Sequence, residues 1–210
     1  MIFVVVAVSR TQGAGTAVKV ETTAFTTPLG NVMVDVHDGG GSKTVVMVHG
    51  MNSALVREWS GIAAFLAARG FRVLLVDMHS NPQTKPGTIS HDDFATVMLA
   101  LAGGRRAIWC GKSWGGAEVA EFAARHPKAA EKVVLVAPAI PNAQISATCE
   151  RLNSPLLLLW AEDDPVMPVK NGVLMKQTCA HASLHTTPQG GHRIITEVYA
   201  AIINAFLQRE

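Results

Sequence analysis

A serine lies among glycines in the run Gly111-Lys112-Ser113-Trp114-Gly115-Gly116. The run follows an apolar stretch, Arg106-Ala107-Ile108-Trp109-Cys110, and opens a helical pattern, Ala117 to Arg125. At a strand-to-helix junction this composition has a physical purpose. Glycine at 111 and 115 lets the two arms of the chain approach closely. The serine takes a sharp, strained turn that exposes its hydroxyl. Ser113 is therefore the candidate nucleophile. A serine hydroxyl attacks poorly near neutral pH unless a base takes its proton. Two downstream segments could supply the help. One is Ala161-Glu162-Asp163-Asp164-Pro165-Val166-Met167-Pro168, after the apolar run Leu156 to Trp160. The other is Gln189-Gly190-Gly191-His192-Arg193, after Ser183 to Thr187. His192 is the candidate base, and a carboxylate would hold its imidazole in one tautomer and stabilise the imidazolium.

These groups need a scaffold that brings distant segments to one edge. Val18 to Thr27 and Asn31 to His37 alternate as two antiparallel strands joined near Pro28-Leu29-Gly30. From Thr44 onward, short apolar runs alternate with amphipathic stretches. The expected strands are Thr44 to Val48, Phe71 to Val76, Ala107 to Cys110, Lys132 to Ala137, Pro155 to Trp160 and Ser183 to Thr187. The expected helices are Ala54 to Arg69, Asp92 to Ala102, Gly116 to Arg125, Val169 to Cys179 and Ile194 to Gln208. That alternation predicts βαβ units and a parallel sheet. In such sheets, catalytic groups gather at the carboxyl ends of the strands. Ser113, Asp164 and His192 each follow a separate strand on that edge.

The chain resembles the α/β-hydrolase fold superfamily from about Thr44 onward. The matching features are His49-Gly50 after the first parallel strand, the Ser113 elbow, Asp164 with Pro168, and Gly191-His192. The resemblance implies a three-layer α/β/α sandwich. Its twisted sheet is mostly parallel, with an antiparallel N-terminal edge and no large cap domain. It also implies Asp164 as the acid, with Asp163 as the alternative, and the backbone N–H of Met51 as one oxyanion donor. The residue after the nucleophile, Trp114, offers the other. The implied chemistry is that of a small esterase- or thioesterase-like serine hydrolase working through an acyl-enzyme on Ser113. Only Ala139 to Ser154 separates two strands where many relatives insert a lid, so an open, shallow site is expected. The elbow also resembles that of proline iminopeptidases, but there is no room here for their large cap. Acyl transfer and a non-catalytic ligand-binding role on the same fold are the alternatives. Epoxide hydrolases and dehalogenases of this fold use an aspartate where Ser113 stands.

Several residues carry plainer readings beside the functional ones. His49 is expected to organise the oxyanion loop rather than to move protons. Asn52 and Lys112 are candidate pocket residues. Asn52 could equally be a turn residue, and Lys112 is expected to be solvated. Trp59, Trp109 and Trp160 are expected in the core. His79 and His91 have no metal-binding spacing with each other or with a cysteine. No metal and no cofactor is expected.

Bulk properties narrow the classes. The 210 residues suit one domain, with 1–17 set apart as a flexible end or a targeting remnant. Hydrophobic residues make up 49% and charged residues 16%, which suits a buried sheet better than a disordered chain. A net charge of +2 without a basic stripe gives no case for a nucleic-acid partner. Met1 to Val8 is apolar but too short to span a bilayer, so stable membrane insertion is not expected. The resemblance implies a small acyl ester or thioester as the partner, and the oligomeric state is open. Three cysteines, Cys110, Cys149 and Cys179, are an odd count with no metal spacing, and a disulfide framework is not expected. A reducing compartment is expected, the cytoplasm, or an organelle if 1–17 are a targeting remnant.

Overall fold

The computed structural model describes residues 18–52 and 57–209. The targeting-remnant reading of 1–17 and the first residues of the Ala54 helix lie outside that range. Eight strands form one sheet in the order β1-β2-β4-β3-β5-β6-β7-β8. They are β1 (Lys19–Thr27), β2 (Gly30–Asp38), β3 (Thr44–Val48), β4 (Arg72–Asp77), β5 (Ala107–Lys112), β6 (Ala130–Val136), β7 (Leu156–Ala161) and β8 (Ala182–Thr187). β1 pairs antiparallel with β2, and β2 with β4. All remaining pairings are parallel. The fold is the expected mostly parallel sheet with an antiparallel edge.

Burial follows from position in the sheet. Every residue of β5 and β7 is buried, and β3 is buried after Thr44. Strands covered on both faces read as continuous apolar runs, which is why they were legible. β1, at the sheet edge, is exposed or half-buried until Thr27. Helices α1 (Ser60–Ala67) and α6 (Thr196–Leu207) cover one face. Helices α2 (His91–Ala102), α3 (Ser113–Arg125), α4 (Asn142–Arg151) and α5 (Val169–Thr178) cover the other. Trp59, Trp109 and Trp160 are core residues, each at most 1% exposed. α2 shows why these boundaries form. Ser90 caps its first turn through the Asp93 N–H, acids at 92 and 93 face the dipole, and Gly103 ends it in the left-handed region.

Some expectations shift. α3 begins at Ser113, not Gly116, because the helix starts on the strained residue itself. Within the described part of the Ala54 to Arg69 span, α1 runs only from Ser60 to Ala67. The β6–β7 connection holds α4 and no inserted domain.

The cysteine expectation is corrected. Cys149 and Cys179 form a disulfide, their Cα atoms 4.6 Å apart, joining the last turn of α4 to the C-cap of α5. The two stand 30 residues apart in sequence and meet because α4 packs against α5. No local spacing could reveal that. The bridge removes the cysteine argument for a reducing compartment, since disulfides persist mainly in oxidising ones. Cys110 is a free, buried thiol, and burial pushes its pKa up, away from reactivity. Among the described residues, no helix is long and apolar enough to cross a membrane.

Candidate active site

The elbow is built by glycine. Ser113 has φ 51°, a conformation that side chains rarely adopt. It is held there because strand and helix nearly touch. A Cβ on Gly111 would meet Gly115 O at 2.3 Å, and one on Gly115 would meet His49 O at 2.2 Å. The neighbouring strand joins in. Ala137, just past β6, also has positive φ, and the Ala139 N–H donates to Ser113 O at 2.8 Å. Trp114 follows in the first turn of α3, where backbone N–H groups lack intrahelical partners and the helix dipole favours negative charge. The residue is 8% exposed, its indole edge-on to Phe94 and 6.3 Å from the His49 ring.

The close approach of Gly115 to His49 brings the elbow against the β3 loop. His49 is 1% exposed, and its Nε2 accepts the Met78 N–H at 3.0 Å. A backbone N–H can only donate, so the proton of the neutral ring is on Nδ1. Nδ1–H then donates to Gly50 O at 2.6 Å. That carbonyl shares a planar peptide with the Met51 N–H, so the bond fixes the direction of that donor. Burial lowers the His49 pKa, outweighing the opposing effects of the Gly50 carbonyl and Asp77, and this favours the neutral ring that the network needs. His79 adds a second fastening. Its ring stacks on His49 at 5.4 Å, and its Nε2–H donates to Met51 O at 2.9 Å. Met51 itself is 53% exposed. His49 thus organises the loop as expected. His79 was missed, because in sequence it had only been tested as a metal ligand.

The acid and the histidine meet across β7 and β8. His192 Nδ1 lies 2.8 Å from Asp164 Oδ2, so the imidazole donates from Nδ1 and Nε2 is left as the acceptor. The Asp164 side chain is fully buried. Its other oxygen accepts the N–H groups of Val166 and Met167 at 2.8 and 2.9 Å. The Trp160 indole in turn donates to Met167 O and fastens the loop to β7. Asp163 does not contact the imidazole: its Oδ1 accepts the Gly191 N–H at 2.7 Å.

Lys112 requires a correction. It is 1% exposed, not solvated, and its Nζ donates to Glu58 Oε2 at 2.7 Å. An apolar stem and a paired ammonium let a lysine be buried beside the elbow. Glu58 lies 54 residues away and gave no signal in sequence. Asn52 is exposed in a bend after Met51. Among the described residues, no group of three or more His, Cys, Asp or Glu side chains could hold a metal ion.

Known proteins resemble this chain at three levels. The profile of the α/β hydrolase fold family matches residues 43–152, slightly more than half of the chain. The pimeloyl-[acyl-carrier protein] methyl ester esterase of Pectobacterium carotovorum subsp. carotovorum (strain PC1) is 34% identical over 101 residues. That match covers 48% of this chain and 38% of the esterase, well under two thirds of its length. The naproxen esterase (carboxylesterase NP) of Bacillus subtilis superposes with a TM-score of 0.75 at 14% identity, over 91% of each chain. Est1E from Butyrivibrio proteoclasticus gives 0.74 at 13% identity, over 89% of this chain and 97% of that one. At such identities the structures testify to the fold, and the profile match testifies to descent: the chain belongs to the α/β hydrolase fold family.

Proposed function

We propose that this protein is a serine hydrolase that cleaves small carboxylic ester or thioester bonds through an acyl-enzyme. Ser113 is the nucleophile, His192 the base and Asp164 the acid. The observation that carries the reading is the bond from His192 Nδ1 to a buried, doubly anchored Asp164. With that proton on Nδ1, the Nε2 of the neutral ring can accept a serine proton. The esterase relative and the many hydrolases of this fold support ester cleavage as the reaction class.

In the first step the Ser113 Oγ attacks the acyl carbon while His192 Nε2 takes its proton. The carbonyl oxygen becomes an oxyanion and receives the N–H groups of Met51 and Trp114. Collapse expels the alcohol or thiol, which leaves with the proton from His192. Water, deprotonated by the same imidazole, then attacks the acyl-serine and restores the hydroxyl. Each oxyanion donor is worth about 3–4 kcal/mol of transition-state stabilisation. The network on the Gly50 peptide keeps one of them aimed before substrate arrives. The short β6–β7 connection supports an open site for small or exposed acyl groups. The single sheet with a core on each face supports one domain.

The test is Ser113→Ala. Turnover of short-chain p-nitrophenyl esters should fall to background, and covalent labelling by a fluorophosphonate probe should disappear. Labelling that persists in the variant would overturn the assignment.

A further inference from the structure

Three consecutive acids follow each other at the end of β7, and each holds a different point of the segment that carries the histidine. Thr186 Oγ1 donates to Glu162 Oε1 at 2.8 Å, and the Glu162 N–H donates to Thr187 O at 2.8 Å. The Gly191 N–H donates to Asp163 Oδ1 at 2.7 Å. His192 Nδ1 donates to Asp164 Oδ2 at 2.8 Å. The first pair extends the β7–β8 register past the sheet, and the third orients the imidazole. The middle one acts on the Gly190–Gly191 peptide, one residue before the histidine.

Building on Asp164 and His192 as acid and base, we propose that Asp163 is a positioning residue whose carboxylate clamps the Gly191 N–H and so fixes the approach of the His192 imidazole to Asp164. The segment between β8 and α6 has no regular structure from 188 to 195. Its two glycines both have positive φ, 149° at Gly190 and 58° at Gly191. Glycine loses more freedom on ordering than any other residue, so something must hold such a pair. Packing does so at Gly190, where a Cβ would meet Ile195 Cδ1 at 2.3 Å. At Gly191 packing does not, since nothing lies within 4 Å of where its Cβ would be. The hydrogen bond to Asp163 takes over there. A carboxylate acceptor makes it short and stronger than a neutral bond. Because Asp163 and Asp164 are adjacent, as are Gly191 and His192, the two bonds act on one another: the second is in line only when the first sets the peptide.

Asp163 is exposed, so its replacement leaves the core untouched. Asp163→Ala should lower kcat for a short-chain ester ten- to a hundredfold, with KM within about twofold of wild type. Asp163→Asn keeps an acceptor oxygen at the same reach and should stay within about threefold of wild-type kcat. The far-downfield proton signal of a carboxylate-bound His192 Nδ1–H, assigned by its loss in His192→Ala, should survive in Asp163→Asn. It should broaden or vanish in Asp163→Ala. Two results would overturn the proposal: Asp163→Ala with wild-type kcat and an unchanged proton signal, or Asp163→Asn as impaired as Asp163→Ala. Failure of the underlying reading shows elsewhere, as activity persisting in Ser113→Ala or in Asp164→Asn.

Discussion

The two halves of the candidate site are held in place by different physics. On the β3–β5 side, the elbow and the His49 loop are wedged together by backbone. Glycines stand where any Cβ would collide, two non-glycine residues take positive φ, and the flanking rings of His49 and Trp114 are buried. On the β7–β8 side the loops are fastened by carboxylates. Glu162 and Asp163 bond exposed backbone and hydroxyl groups, and only Asp164 is buried. In the proposed mechanism the nucleophile needs a strained conformation, which tight packing can enforce at every moment. In the same mechanism the histidine passes protons in both directions, and hydrogen bonds set its tautomer as well as its position. The consequence is a separation of effects. Substitutions on the β7–β8 side should cost rate and spare the fold, whereas those on the β3–β5 side should cost both.

The largest effect expected is on the carboxylate side. In Asp164→Asn, the amide oxygen can keep the Val166 and Met167 N–H groups, which places the NH2 against His192 Nδ1. Two donors then face each other unless the imidazole moves its proton to Nε2, the tautomer that cannot accept from Ser113. We expect kcat to fall by about three to four orders of magnitude, with an unchanged circular-dichroism spectrum and a melting temperature close to wild type. A large loss of stability would mean that this half is held by packing as well, and the contrast would dissolve.

Next is the wedge itself. In Gly115→Ala, the added methyl would lie 2.2 Å from His49 O and 2.8 Å from Val48 O. Both are backbone atoms of β3 and its loop and cannot rotate away. Overpacking of this kind costs about 3 kcal/mol or more, which for a chain of this size lowers the melting temperature by roughly 6–12 °C. Activity should fall with stability, because the obstructed carbonyl neighbours the Gly50 peptide. A variant that melts like wild type would show that the elbow has slack, and glycine would then be there for another reason.

The same contrast decides what could be read from sequence. Wedges leave local marks: glycines flanking a serine after an apolar run are visible within six positions, and so are the buried strands that end at them. The order of Ser113, Asp164 and His192 was legible because each follows a strand, β5 and β7 buried throughout and β8 a partly exposed edge. Fastenings between distant segments leave no mark. Asp163 read as a rival acid, since a carboxylate beside another looks interchangeable until one is seen on a backbone N–H. His79 showed in sequence only the absence of a metal-binding spacing. The Cys149–Cys179 bridge depends on the packing of α4 against α5, and Lys112 on Glu58, both separations far longer than any motif. The first residue of α3 was also misplaced, because two glycines after Trp114 signal a turn in sequence while the tertiary wedge makes them the first turn of a helix.

Lys112 tests whether the β3–β5 side relies on charge at all. Its ammonium is bonded to Glu58, whose neighbour Trp59 donates its indole N–H to Val48 O at 3.2 Å. The pair therefore ties the strand that carries Ser113 to the segment fastened on β3. In Lys112→Met the methionine fills the buried path of the stem, and Glu58 loses its partner. The Glu58 side chain is 23% exposed, so water recovers part of the loss. The cost should be about 1–2 kcal/mol, less than for a fully buried pair, or a drop of roughly 2–8 °C in melting temperature. Adding Glu58→Met removes the stranded charge, and the double variant should melt within a few degrees of wild type. If Lys112→Met alone melts with wild type, the pair adds nothing and sterics suffice. If the double variant is the least stable of the three, the ion pair is a fastening in its own right, and the nucleophile side is held by charge much as the histidine side is.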